Sequence, residues 1–213
     1  MTYSVKEIFY TIQGEGFNAG RVAVFCRFAG CNLWSGLEKD RSTAVCQFCD
    51  TEFIGTDGIG GGKFRSASGL ADKVEEIWNK GSGGKDGRFI VCTGGEPLLQ
   101  LDESLVNELH ARGFYIAVET NGTQTAPKGI DWLTVSPKSD AAIVLTKGNE
   151  LKLVYPQALA PPEHFAELDF DHFFLQPMDG SATAENTEKV VEYCRSNPHW
   201  RVSVQAHKIL GIP

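Results

Sequence analysis

Arg88-Phe-Ile-Val-Cys-Thr93, Asp102-Glu-Ser-Leu-Val-Asn-Glu-Leu-His-Ala-Arg112 and Phe114-Tyr-Ile-Ala-Val-Glu119 decide the fold. The outer two stretches are short, apolar and rich in β-branched and aromatic residues, as buried strands are. The middle one reads as a helix stopped by Gly113. Strand, helix and strand in succession predict parallel pairing. The same pattern extends outward. Val22-Ala-Val-Phe-Cys-Arg-Phe-Ala29 predicts a strand, and Leu70, Val74, Ile77 and Trp78 recur at helical spacing behind Ser66 or Ser68 as N-cap. Residues 132–135, 151–155, 172–175 and 200–205 predict further strands and residues 187–195 a helix, while several connections are too short for a full helix. The expectation is an α/β fold: a reduced, open partial barrel of about six mainly parallel strands, in one domain over residues 1–213.

The chain sets 20 Lys and Arg against 27 Asp and Glu, a net charge of −7, which argues against nucleic acid and anionic membrane as partners and favours a small substrate. It holds no apolar run of membrane-spanning length, and Met1-Thr-Tyr-Ser-Val-Lys-Glu7 lacks the layout of a secretory signal. The expected location is cytoplasmic, where thiols stay reduced. Six cysteines, at 26, 31, 46, 49, 92 and 194, therefore point to metal or redox chemistry rather than disulfides. Polar and Gly-rich turns follow strand after strand: Gly30-Cys31, Thr93-Gly-Gly-Glu96, Glu119-Thr-Asn-Gly122, Ser136-Pro-Lys138, Gln176-Pro-Met-Asp179 and His207. Each alone is an ordinary turn, but together at one sheet edge they predict a single shared site.

Cys31, Cys46 and Cys49 are separated by fourteen and then two residues. A cubane iron–sulfur cluster held by three thiolates keeps one iron without a protein ligand. Structural zinc and a thioredoxin-like pair are the competing readings. A closed zinc site wants four ligands, and no His occurs before His110; a redox pair leaves Cys31 unexplained. The long first gap is tolerable because loop closure costs grow slowly with length. In Thr93-Gly94-Gly95-Glu96-Pro97 the paired glycines let a ligand approach the main chain, unless the segment is only a turn ending in Pro at a helix start. Lys138 either pairs with a carboxylate or is a solvated lysine.

Phe48 before Cys49, and the Gly-Gly-Glu-Pro turn, resemble radical S-adenosylmethionine enzymes, from which the long first gap departs. Ile12-Gln13-Gly14-Glu15-Gly16, Arg27, Gly30-Cys31-Asn32-Leu33-Trp34 and Cys46-Gln-Phe-Cys49-Asp50-Thr51 are similar to the 7-carboxy-7-deazaguanine synthase family, and the similarity continues through the turns above to His207. The resemblance implies a radical-SAM-type barrel with a 4Fe-4S cluster on Cys31, Cys46 and Cys49. It implies S-adenosyl-L-methionine at Phe48, Cys49, Asp50, Gly94, Gly95, Glu96, Glu119, Ser136, Pro137, Lys138, Gln176, Pro177, Met178 and Asp179, and Mg2+ at Thr51. The implied substrate is 6-carboxy-5,6,7,8-tetrahydropterin, contacted by Ile12, Gln13, Gly14, Arg27, Thr93, His207 and the terminal carboxylate of Pro213. It would lose a hydrogen from C6, contract its ring and release ammonia, giving 7-carboxy-7-deazaguanine for queuosine and other 7-deazapurines while the cofactor is regenerated. An electron donor such as flavodoxin or ferredoxin and a homodimer belong to the same implication.

Each of these residues has a plainer reading beside the implied one. Arg27 could sit in a structural ion pair, His207 could satisfy a core hydrogen bond, Thr51 could close a turn, and a tail ending at Pro213 could fray. Two other functions stay open: a radical activating enzyme acting on another protein, and a non-enzymatic zinc-binding module.

Overall fold

The computed structural model describes residues 2–213. Strands β1 (Tyr3–Ile12), β2 (Val22–Phe28), β3 (Gly62–Phe64), β4 (Phe89–Gly94), β5 (Tyr115–Thr120), β6 (Trp132–Val135), β7 (Lys147–Tyr155), β8 (Asp169–Pro177) and β9 (Trp200–Val202) form one sheet in the order β3-β1-β2-β4-β5-β6-β7-β8-β9. From β2 to β9 every neighbouring pair is parallel, and β1 runs antiparallel to both β2 and β3. The parallel run is the open α/β sheet that the alternation of strand and helix predicts. The count is larger than about six because β1 and β3 extend the edge. β1 escapes a periodicity reading because Ser4, Lys6, Glu7 and Thr11 interrupt its apolar residues and an irregularity between Val5 and Glu7 shifts its register.

Helices α1 (Ala67–Ser82), α2 (Glu103–Ala111), α3 (Thr183–Ser196) and α4 (Ala206–Leu210) complete the fold. Ser66, not Ser68, caps α1, its hydroxyl accepting from Gly69 N at 3.1 Å. Asp102 caps α2 by accepting from Leu105 N at 3.0 Å, and it also takes the Tyr3 hydroxyl at 2.7 Å, tying α2 to β1. α3 starts at Thr183, a turn earlier than its apolar spacing suggests. No α-helix separates β5, β6 and β7, as the short connections predict.

Strand alternation divides the sheet into two faces. Val24, Cys26, Phe28, Ile90, Cys92, Ile116 and Val118 pack against α1 and α2, and Leu151, Leu153, Phe173 and Leu175 pack with Val190 of α3. The intervening residues point the other way. Ala23, Phe89, Val91 and Ala117, with Phe25 and Trp132, fill the lower part of that second face. The loop after β1 lays Phe17 against Trp132 and His172, with ring centroids 4.9 and 4.3 Å apart. The polar residues on this face nearer the strand ends, Arg27 of β2, Thr93 of β4, Glu119 of β5 and Lys152 of β7, are left to face a cavity.

Candidate active site

That cavity, about 360 Å3, opens at the C-terminal ends of the parallel strands, a size suited to a small molecule. Nearly every expected site residue lines it. Cys31, Cys46, Phe48, Cys49, Asp50 and Thr51 form one wall; Gly94, Gly95, Glu119, Ser136, Lys138 and Gln176, Pro177, Met178 and Asp179 form another; Ile12, Gln13, Gly14, Arg27, Thr93, His207 and Pro213 close the rest. Two do not reach it. Pro137 is set back between Ser136 and Lys138, and Glu96 is fully buried away from the cavity. One Glu96 oxygen accepts from Thr120 Oγ1 at 2.7 Å and Leu98 N at 2.9 Å, the other from Asn121 N at 2.8 Å. Burial pushes its pKa up against these bonds. Its carboxylate braces the turn after β4 against the end of β5.

The paired glycines also have a reason beyond the one the sequence suggests. A side chain on Gly95 would run into the Gly30 carbonyl and Cys31 Cβ, so its absence lets the turn after β4 pack on the cysteine loop. Glu96 N donates to Gly30 O at 2.9 Å across this contact. Leu33 N points at Cys31 Sγ from 3.4 Å, opposing the burial that raises that thiol. A hydrogen bond with Cys46 draws Cys49 down to about 6 and, together with burial, pushes Cys46 up. Lys138, held by Ser136 O at 2.8 Å, lends a nearby positive charge to both sulfurs; burial lowers its own pKa. Cys26 and Cys92 lie in the core under the helices and Cys194 on α3, so the three loop sulfurs are the ones on the cavity. Among the described residues no three His, Cys, Asp or Glu side chains are gathered to hold a single metal ion. A cubane asks for something else, one thiolate at each of three separate irons, and the donor set fits that.

Lys152 stands in the cavity floor with its ammonium 2.5 Å from Glu15 Oε2 and 3.1 Å from Glu119 Oε2, its side chain 5% exposed. Gln13 Nε2 donates to the other Glu119 oxygen at 2.8 Å, and its carbonyl accepts from Glu15 N at 3.1 Å. Burial opposes the charge on Lys152, but Glu119, Glu15 and Glu150 outweigh it and hold the pKa above its usual value. Glu15 is likewise kept below the usual carboxylate range, by Lys152 against burial. Glu150 is sealed under the floor, accepting from Phe17 N at 3.0 Å, and its burial is only partly offset by Lys152. Its pKa is pushed up to about 7.

A carboxyl raised on folding contributes stability that is fully present below its unfolded pKa and is lost as pH rises through the folded value. The window here runs from the ordinary carboxyl value of 4.5 to about 7. Glu150→Gln is expected to remove a decline on the order of 3 kcal/mol between about pH 5 and about pH 8. Urea unfolding of both proteins at the two pH values checks this; parallel declines would take the titration away from Glu150.

The mouth is latched by the C-terminal segment. Lys208 on α4 reaches Asp50 of the cysteine loop at 2.8 Å and Asp179 after β8 at 2.5 Å. Burial works against the charge on Asp50, yet bonds from Lys208 and Gln205 keep its carboxyl below the usual range. Ala206 N donates to Gly14 O at 3.0 Å, the bare Cα of Gly14 makes room for the His207 ring, and Thr11 Oγ1 donates to Pro213 O at 2.9 Å. Arg27 both lines the cavity and pairs with Glu7 at 2.8 Å, directly across from it on β1, so the ion-pair and cavity readings coexist. Glu15, Lys152, Gln205 and Lys208 were not anticipated as site residues. Lys152 did carry a signal: a lone cation inside the apolar run Leu151-Lys-Leu-Val154, which a buried strand tolerates only with partners.

Three full-length relatives described as 7-carboxy-7-deazaguanine synthase, from Caulobacter vibrioides, Bordetella pertussis and Bacteroides thetaiotaomicron, are 64%, 61% and 36% identical to the chain, each alignment covering 100% of both sequences. No family model matches the chain. Among solved structures, the crystal structure of QueE from Escherichia coli superposes with a TM-score of 0.72 at 27% identity, over 97% of this chain and 95% of that one. Identity of this extent over whole chains places the protein in the 7-carboxy-7-deazaguanine synthase family.

Proposed function

We propose that the chain contracts 6-carboxy-5,6,7,8-tetrahydropterin to 7-carboxy-7-deazaguanine and ammonia in this cavity, with a 4Fe-4S cluster on Cys31, Cys46 and Cys49. The observation that carries the reading is that these three sulfurs line the same cavity as Arg27, Glu119 and Lys152. The cluster and S-adenosylmethionine, when bound, supply a deoxyadenosyl radical able to take a hydrogen atom from C6 of the substrate.

The protein's own part is to hold and orient. Arg27 offers a cation to the substrate carboxylate while Glu7 fixes its guanidinium. Gln13, locked to Glu119 and Glu15 N, presents a rigid polar edge to the ring, and Thr93 adds a hydroxyl. Ser136, Lys138 and Gln176 suit the polar ends of the cofactor, and Thr51 is a hard oxygen donor for Mg2+. An electron donor of the flavodoxin or ferredoxin kind and a homodimer complete the proposal. No helix among the described residues is long and apolar enough to cross a membrane.

Oxygen-free protein, reconstituted with iron and sulfide and given reductant, S-adenosylmethionine, magnesium and the carboxypterin, is expected to form a deazaguanine chromophore with little net cofactor consumption. Material that carries zinc without acid-labile sulfide and leaves the pterin untouched would exclude the reading.

The docked tail supplies a separate prediction. Pro213, whose O takes the Thr11 hydroxyl at the cavity wall, is proposed to contact the substrate through a terminal carboxylate, which residues appended there would amidate. Loss of one charge-assisted hydrogen bond to substrate is worth about 1.5–3 kcal/mol, so KM is expected to rise about ten- to a hundred-fold with kcat less affected. Steady-state kinetics of a C-terminally extended protein against an N-terminally extended one check this, and equal KM values would remove Pro213 from the substrate site.

A further inference from the structure

The fourteen residues between Cys31 and Cys46 are more than slack. They contain a 3-10 turn, Glu38–Thr43, and from it Arg41 reaches back to the other end of the cysteine loop. One Arg41 nitrogen donates to Gln47 O at 3.0 Å and Cys49 O at 3.1 Å. The same guanidinium is gripped by Glu38, at 2.8 Å through Nε, and lies over the Trp34 ring at 4.0 Å. Trp34 is itself buried edge-on against Phe53, with Nε1 donating to Leu37 O at 3.2 Å. Three pieces of chain therefore meet on one cation: the residues just after Cys31, the 3-10 turn, and the Cys46 to Cys49 segment. The Glu38 pair alone would count for little, because that carboxylate is largely exposed. The two carbonyl bonds and the aromatic stack are different, since they cross-link segments that hold separate sulfurs.

We propose that Arg41 is a positioning residue for the cluster: it ties the insertion onto the Cys46 to Cys49 segment, fixes the spacing of the sulfurs, and places a permanent cation beside them. The second half of this inference rests on the cluster reading above; the tie itself does not. Lysine at this position keeps a charge that can reach a carbonyl, but it cannot at once bond both carbonyls, hold Glu38 through a second nitrogen and lie flat on Trp34. Charge and tie are therefore separable by Arg41→Gln and Arg41→Lys.

In metal-free protein under argon, hydrogen exchange of the amides at 44–51 is expected to accelerate about ten-fold or more in Arg41→Gln and partly in Arg41→Lys, with β4 and α1 unchanged. After reconstitution, Arg41→Gln should lose its cluster absorbance to a chelator about ten-fold faster than the parent, with Arg41→Lys in between. The reduction potential, followed by electron paramagnetic resonance, should fall in Arg41→Gln and return in Arg41→Lys, because a cation near the sulfurs favours the more negative reduced state. Exchange, cluster lifetime and potential that all match the parent in Arg41→Gln would overturn the proposal. A parent that takes up no cubane, while 44–51 still opens in Arg41→Gln, overturns the cluster reading and leaves the tie supported. If Arg41→Gln opens throughout, Arg41→Lys decides, and unchanged exchange at 44–51 there overturns the tie.

Discussion

Lys152→Met is expected to cost about 3–5 kcal/mol of stability and to abolish turnover. The substitution fits the space but leaves Glu15 and Glu119 facing each other in the cavity floor with their shared ammonium gone. Glu150 beneath them adds a third carboxyl whose burial Lys152 now partly offsets. The floor can relieve the excess charge by taking up protons, so the penalty should be larger at about pH 8 than at about pH 6. Glu15→Gln and Glu119→Gln added together to Lys152→Met should recover most of the stability and none of the activity, which distinguishes unpaired charge from lost packing. Denaturant unfolding reads the first effect and product formation the second; a single variant within about 1 kcal/mol of the parent would show that the ion cluster does not hold the floor.

Cys31→Ala separates activity from stability in the opposite sense. Its sulfur is partly exposed and, in the metal-free protein, accepts only main-chain N–H groups from Leu33 and Trp34. The apo variant is therefore expected to unfold within about 1 kcal/mol of the parent. Removing a group that merely supports a metal ligand already costs about 10–100-fold, so deleting a ligand should lower turnover by more than about a hundred-fold and strip acid-labile sulfide. A variant that keeps both sulfide and activity would displace Cys31 from the ligand set.

The parts of the fold that could be read from the chain were those whose pattern is local. β4 and β5 carry apolar runs, α2 lies between a capping Asp102 and a stopping Gly113, and all three form where expected. β1 could not be read that way, because its polar residues are accounted for by partners far off in sequence: Lys6 by Glu52 and Asp57, Glu7 by Arg27. The choice of Ser66 over Ser68 depends on backbone angles that residue identity does not specify. The site shows the same division. Motif residues beside the strand ends were collected into one cavity, since the parallel sheet aligns those ends. Glu96 was placed in the right turn, but its bonds to Thr120 and Asn121 were not legible, because a motif does not say which way a carboxylate faces. Lys152 and Glu15 lie 137 residues apart, and only the folded sheet brings them into contact.

The seam between Ile12 to Gly16 and Ser203 to Pro213 also bears on how the protein is made. Gly16 N donates to Ser203 Oγ and Gln205 Nε2 to Glu15, so the earliest strand waits on the last segment to finish its surroundings. The helix-covered half of the sheet, whose contacts are nearer in sequence, can assemble before this seam forms. The wall that this seam forms is therefore expected to close late, after the core behind α1 and α2 has set.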